Sequence, residues 1–401
     1  MVSQNHSMLI LGISAFYHDS AAALIEDGEI IAAAHEERFS RKKHDERFPV
    51  NAIKFCLEYS GHTLEQIDCI AFYDKPLLKF ERLLETYYRF APKGIASFFL
   101  SMTVWLKEKL FIKKLIRDEF RSIGEIDFKK VKLLFPEHHL SHAASAYFAS
   151  PFDDAAILTI DGVGEWATAS ILYAKDNSLT NLKELRFPDS VGLLYSAFTY
   201  YAGFKVNSGE YKLMGLAPYG AHGSEEVKKY ESLILENMVT VFEDGSISIN
   251  QEYFDYATGL KMVNEKKWAR LFGLSKRAPE SEMTQQHCNL ALAIQNITEA
   301  IVLKMAAEAK RLTGSDNICM AGGVALNCVA NGKLLKSNIF KNIYIQPAAG
   351  DAGGALGAAY AAYHIYYDEP KLKCTGLDLM KGSYIGPDYS EKDVMRSLKK
   401  I

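Results

Sequence analysis

No Cys-x-x-Cys pair occurs anywhere in the chain, and its six cysteines, Cys56, Cys69, Cys288, Cys319, Cys328 and Cys374, do not fall at zinc-ribbon spacing. A structural zinc knot and a disulfide scaffold are therefore excluded, and free thiols in a reducing, cytoplasmic setting are expected. The chain also lacks an excess of either charge. Its 46 Lys+Arg stand against 49 Asp+Glu, a formal net of −3, which argues against nucleic acid as the main partner while leaving room for a local basic patch. The opening MVSQNHSMLI has neither the basic start nor the apolar stretch of a signal peptide. No apolar run reaches membrane-spanning length, so no transmembrane segment is expected. The nearest, GIASFFLSMTVWL at 94–106 between Lys93 and Lys107, reads as a packed amphipathic helix rather than a peripheral membrane contact.

With 401 residues, 48% hydrophobic and 24% charged, the chain can build one large domain or two lobes with sizeable cores. The opening is rich in strands. Apolar runs at 8–14, 20–25 and 29–34, with a hairpin turn at Glu26-Asp27-Gly28, are followed by a helix over 51–60 that stops at Gly61 and a strand at 68–73. Residues 79–121 read as helical. A strand at 132–135 leads into a helix carrying EHHLSHAASAYFAS, and then the opening pattern returns. AAILTI at 155–160 ends in Asp161-Gly162, TASILY follows at 168–173, Lys175-Asp176-Asn177 makes a turn, and a third strand begins at 180–185. Such a return predicts an internally duplicated α/β protein with a cleft between its lobes. The last third predicts a helix over 286–310, strand 317–321, helix 325–337, strand 342–347, a glycine-rich loop and a helix to about 367. The expected division is a first lobe at 1–153, a second at 154–368 and a linker-like tail at 369–401, whose last helical stretch covers 390–400.

His138 and His142 stand four residues apart, so on a helix they share a face and can hold one divalent metal. Taken alone, a face of satisfied histidines fits equally well. Asp161 tilts the balance, because it ends an apolar strand beside Gly162 and Gly164 and projects into a cleft. Asp351 follows the strand at 342–347 in the same manner. Two imidazoles and two carboxylates suit Fe2+, Mn2+ or Zn2+. His139 is not expected to be a ligand. Gly322-Gly323, between a strand and a helix, and the group Gly350, Gly353, Gly354 and Gly357 read as nucleotide cradles. Either loop could equally serve tight packing. His18, in the first hairpin loop, suits a general base on a hydroxyl; a turn capped by Asp19 and Ser20 fits as well. Glu210 and Lys212 lie beside glycines, with Lys212 placed to meet phosphate or carbamoyl oxygens or to form a solvent-facing charge pair with Glu210.

Seven segments together resemble the O-carbamoyltransferase family of antibiotic and nodulation-factor biosynthesis. They are HDSAAALIEDGEI (18–30), AHEERFSRKKHD (34–45), EHHLSHAASAYFASPF (137–152), LTIDGVGEWATAS (158–170), GEYKLMGLAPYG (209–220), AGGVALNCVANGKL (321–334) and GDAGGALGAA (350–359). The core is also similar to that of the tRNA threonylcarbamoyl-transferring enzymes; the balanced charge favours the small-molecule branch. The resemblance implies a duplicated actin-like (ASKHA, ribonuclease H-like) two-lobed fold. It implies that His138, His142, Asp161 and Asp351 hold a divalent metal, with Fe2+ favoured. It places His18 near the transfer chemistry, and Gly322-Gly323 with Asn327 on the adenosine side of an ATP- or AMP-type nucleotide with Mg2+. Family members make carbamoyl-adenylate from carbamoyl phosphate and ATP in a second domain, and the actin-like domain passes the carbamoyl group to a hydroxyl-bearing acceptor. That adenylating domain is not expected within these residues, where GSYIGPDYSEKDV resembles the linker to it. The chain is therefore expected to need a separate adenylating partner, and the alternative is a nucleotide- and metal-binding module that is inactive without one.

Overall fold

The computed structural model describes residues 7–107 and 111–399. Part of the expected helical region 79–121 (residues 108–110), the first six residues of the N-terminal segment and Lys400 of the last helical stretch lie outside the described residues.

The described residues form twelve strands: β1 Leu9–Ser14, β2 Ala21–Glu26, β3 Glu29–His35, β4 Cys69–Phe72, β5 Lys132–Leu134, β6 Asp154–Ile160, β7 Ala167–Lys175, β8 Ser178–Arg186, β9 Val239–Val241, β10 Ile247–Ile249, β11 Asn317–Ala321 and β12 Asn342–Ile345. The duplication is seen strand for strand. One sheet runs β3-β2-β1-β4-β5, the other β8-β7-β6-β11-β12, and β9 with β10 forms a small separate ribbon. In each large sheet the first three strands pair antiparallel and the last two join in parallel. This repeated mixed sheet is the two-lobed actin-like arrangement. Central strands β1 and β6 are covered on both faces, which is why they read as continuous apolar runs.

Two hydrophobic cores follow from the two sheets. One gathers β1, β2 and β4 with the helix His138–Tyr147; the other gathers β6 and β11 with the helix Gln285–Thr313. That last helix is long and apolar enough to cross a membrane by length and composition, but its apolar window is 72% buried. The sequence expectation of no such run is corrected on this point, because core packing selects the same residues as a bilayer does.

Helix Asp351–Tyr360 joins the core of the first sheet rather than staying with the second. Its small residues permit this. A Cβ on Gly12 would overlap the Ala355 carbonyl, and a Cβ on Gly357 would overlap the Ser141 carbonyl. Backbones of β1, the Asp351 helix and the His138 helix therefore meet closely. The expected helical region 79–121 is helical, and among the described residues it is divided into Pro76–Phe90, Ile95–Lys107 and Ile112–Ile123; the first ends just before Pro92, which disfavours helix in the residue preceding it. The helix Ile95–Lys107 is only half packed: Phe98 stacks on Tyr87 at 4.1 Å, while Phe99 and Leu100 are exposed.

Candidate metal centre and the cleft around it

Helix His138–Tyr147 begins at the cleft, and its four-residue spacing turns His138 and His142 the same way. Their Nε2 atoms lie 3.0 Å apart. Asp161, the residue after β6, brings Oδ2 to 3.1 Å from His138 Nε2 and 3.9 Å from His142 Nε2. Asp351 brings Oδ1 to 3.5 and 3.7 Å from the same two nitrogens. Asp351 does not end a strand, as its sequence position suggested. It is the first residue of its helix, where a carboxylate is favoured by the helix dipole.

All four donor atoms lie within 4.8 Å of one another. Chemically they fit a divalent cation. Both facing imidazole nitrogens can turn their lone pairs to one cation, and the two carboxylates supply neutralising charge in a buried place. His138 and His142 also bury their Nδ1 atoms without a partner. Burial raises the Asp161 and Asp351 carboxyls, yet the surrounding imidazoles outweigh it and hold both below the ordinary carboxylate range. His139 turns away as expected. Its Nδ1 bonds Thr159 Oγ1 at 2.7 Å, and burial, then the neighbouring His138 and His142, push it down to about 3.

His18 stands at the rim with Nε2 3.7 Å from Asp351 Oδ2. Its Nδ1 bonds Asp19 Oδ2 at 2.9 Å, and the other Asp19 oxygen bonds His44 Nδ1 at 2.6 Å. Burial opposes a charged His18, but Asp351 and Asp19 outweigh it and push the imidazole up to about 9. Three other groups complete the floor and escaped sequence reasoning. Tyr73, just past β4, places its hydroxyl 3.5 Å from Asp351 Oδ2. Glu165 accepts from the His138 backbone N–H at 3.0 Å and the Lys75 N–H at 2.7 Å, fixing the start of the histidine helix. Lys79 pairs with Asp74 at 2.5 Å. Only Tyr73 left a sequence signal, as a polar-tipped residue closing an apolar strand.

A cavity of about 280 Å³ opens over this floor and is lined by His18, Asp161, Gly162, Glu210, Gly323, Asn327 and Asp351, among others. Gly323 N–H donates to Asp161 Oδ1 at 3.0 Å, so this amide orients the carboxylate. Gly322 has φ 90° and packs on Ile160, Gly353 packs on the Ala348 carbonyl, and Gly164 lies against His138 and His139. These three serve close packing and stand outside the cavity lining. Asn327 lines the cavity, but its side chain is engaged: Oδ1 accepts from the Ala330 N–H at 3.1 Å, capping the helix Cys328–Ser337, and the amide exchanges hydrogen bonds with Gln295. Glu210 accepts from Ser196 Oγ at 2.7 Å and from the Asn207 N–H at 3.0 Å. Lys212 faces away from the metal centre into a neighbouring cavity.

Residues 9–360 match the family described as Carbamoyltransferase N-terminus. An uncharacterized protein of Synechocystis sp. is 54% identical over 391 residues, covering 97% of this chain and 62% of its own length. The nodulation protein NolNO of Sinorhizobium fredii is 37% identical over 351 residues, covering 86% of this chain and 46% of its own. The crystal structure of T. kodakarensis HypF is similar with TM-score 0.41 at 14% identity, covering 90% of this chain and 48% of that one. The chain spans about half the length of the curated relatives it matches. With its duplicated sheets matched almost end to end, the chain belongs to the carbamoyltransferase N-terminus family.

Proposed function

We propose that this chain passes a carbamoyl group from carbamoyl-adenylate to a hydroxyl of a small molecule. The observation that supports this reading best is the cluster of His138, His142, Asp161 and Asp351, whose two carboxylates line one cavity together with His18. His138, His142, Asp161 and Asp351 would hold a divalent cation, with Fe2+ favoured and Mn2+ or Zn2+ as alternatives, and it would supply Lewis-acid polarisation of a carbamoyl or phosphate oxygen.

The chain's own residues account for the remainder. Asp161 is oriented by the Gly323 N–H, and Asp351 by its place at a helix start. Asp19 keeps the His18 Nδ1 hydrogen-bonded, so Nε2 is the atom turned to the cleft. Asp351 exerts the strongest attraction holding a proton on His18, and a cation held by Asp351 would offset it, leaving Nε2 able to accept a proton. His18 then takes the acceptor's hydroxyl proton as the oxygen bonds the carbamoyl carbon. The bond from that carbon to the phosphate oxygen breaks, and AMP leaves. Leu193, Met214, Val324 and Leu326 line the cavity with apolar surface that limits hydrolysis of the mixed anhydride. Carbamoyl phosphate, ATP and Mg2+ belong to the step that makes the adenylate, assigned to a separate adenylating domain. Lys212 lines the neighbouring cavity and not this cleft.

The test is AMP release from preformed carbamoyl-adenylate by the metal-loaded chain. Release that accelerates with added alcohols supports transfer. A rate indifferent to every alcohol, or no nucleotide binding in the cleft by calorimetry, removes the reading.

A further inference from the structure

Beside the metal cleft lies a second and larger cavity, of about 620 Å³. One stretch of chain separates the two. Asn207, Ser208 and Glu210 face the metal cleft, while Lys205, Val206 and Lys212 line the second cavity.

Lys205, Lys212, Lys261 and Lys276 line it against one carboxylate of its own, Glu280. Behind them, Glu265 holds Lys261 at 3.1 Å and Lys276 at 3.5 Å, and Lys276 sits 3.7 Å over the Tyr200 ring. Lys212 rests 5.9 Å over the Phe204 ring. Among the described residues, neither Lys205 nor Lys212 has a carboxylate partner. The cavity therefore carries a local positive excess in a chain whose formal net charge is −3. Ammonium groups on flexible stems suit a compact oxyanion, which they meet as point charges. Val206, Met262, Pro279 and the 78% exposed Leu260 add an apolar wall.

We propose that this cavity binds a phosphate-bearing small molecule, with its oxyanion at Lys205 and Lys212 and its body along Val206, Leu260 and Met262. The further step rests on the carbamoyl-transfer reading: the ligand is the acceptor, whose class is a phosphorylated alcohol such as a sugar phosphate. The stretch 205–212 is a wall common to both cavities, so a ligand held at Lys205 and Lys212 lies next to the metal cleft.

Calorimetry on the full chain tests the cavity without metal or donor, using glucose 1-phosphate and methyl glucoside as probes. The sugar phosphate should bind and the neutral glucoside should not. Lys205→Gln/Lys212→Gln should weaken binding at least tenfold, roughly the loss of one charge-assisted contact, with an unchanged melting temperature because both side chains are exposed. No sugar-phosphate binding at millimolar concentration, or equal binding by the double variant, overturns the cavity assignment. The acceptor assignment is read separately from KM in the carbamoyl-adenylate assay. A KM for phosphorylated alcohols that rises in the double variant supports it, and an unchanged KM overturns it. Failure of transfer with every alcohol, beside intact sugar-phosphate binding, sinks the acceptor assignment together with the carbamoyl-transfer reading and leaves the cavity as a phosphate site.

Discussion

His138 and His142 face each other through Nε2 atoms 3.0 Å apart, with both Nδ1 atoms buried and unpartnered. Two neutral imidazoles so placed either share one proton in a hydrogen bond or both turn their lone pairs to a cation, and in the proposed function the second state is the working one. Replacing His142 with Ala should leave less than about a tenth of the metal that one site per wild-type chain binds, and should abolish the melting-temperature gain that metal gives by mass action. Elemental analysis and thermal melts check this; equal metal in both proteins would show the ligand set to be wrong.

Gly357 governs the same site from a distance. Any side chain there collides with the Ser141 carbonyl on the histidine helix. Gly357→Ala should therefore cost about 1–3 kcal/mol of stability, the usual range for overpacking, and should lower metal occupancy by spreading Asp351 from the histidines. Urea unfolding and metal analysis on one sample test the pairing. A stable variant with full metal would refute the close approach.

Asn327 offers a way to separate fold from function. Its side chain caps a helix, and loss of such a cap costs about 1 kcal/mol. Asn327→Ala should show that loss in the absence of nucleotide. If stability is untouched while nucleotide binding disappears, the side chain contacts ligand and the capping account fails.

His364 gives a pH signature remote from the cleft. It stacks on Phe148 at 4.1 Å, and burial pushes its imidazole down from 6.5 to about 4. The unfolded chain takes up this proton below about 6.5, whereas the folded chain resists until about 4. The stability this histidine contributes is thus present above 6.5 and is lost as pH falls through that window. His364→Phe should flatten that part of the profile in denaturant titrations; an unaltered slope would place the dependence elsewhere.

Much of this was legible beforehand, for local reasons. Continuous apolar runs identified β1, β4 and β6, and the four-residue spacing put His138 and His142 on one face. Asp161 was readable because it ends an apolar strand. Asp351 was misplaced because AAGDAGGALGAA looks like a glycine loop; its small residues instead let a helix press on β1 and the histidine helix, a demand set by partners far away in sequence. The same distance hid Tyr73 and concealed that Asn327 is engaged by Gln295. Glu210 and Lys212 lie beside glycines only two residues apart, yet the helix Glu210–Leu216 turns the two toward different cavities, which their spacing alone does not reveal.

The most direct measurement is carbamate-ester formation, followed by mass spectrometry, when metal-loaded chain meets preformed carbamoyl-adenylate and a panel of alcohols. Asp351 touches both the histidine pair and His18, so wild type and Asp351→Asn form the decisive pair. The account predicts alcohol-dependent ester with wild type and none above background with the variant. Equal ester from both, or AMP released by wild type with no ester at all, would contradict it.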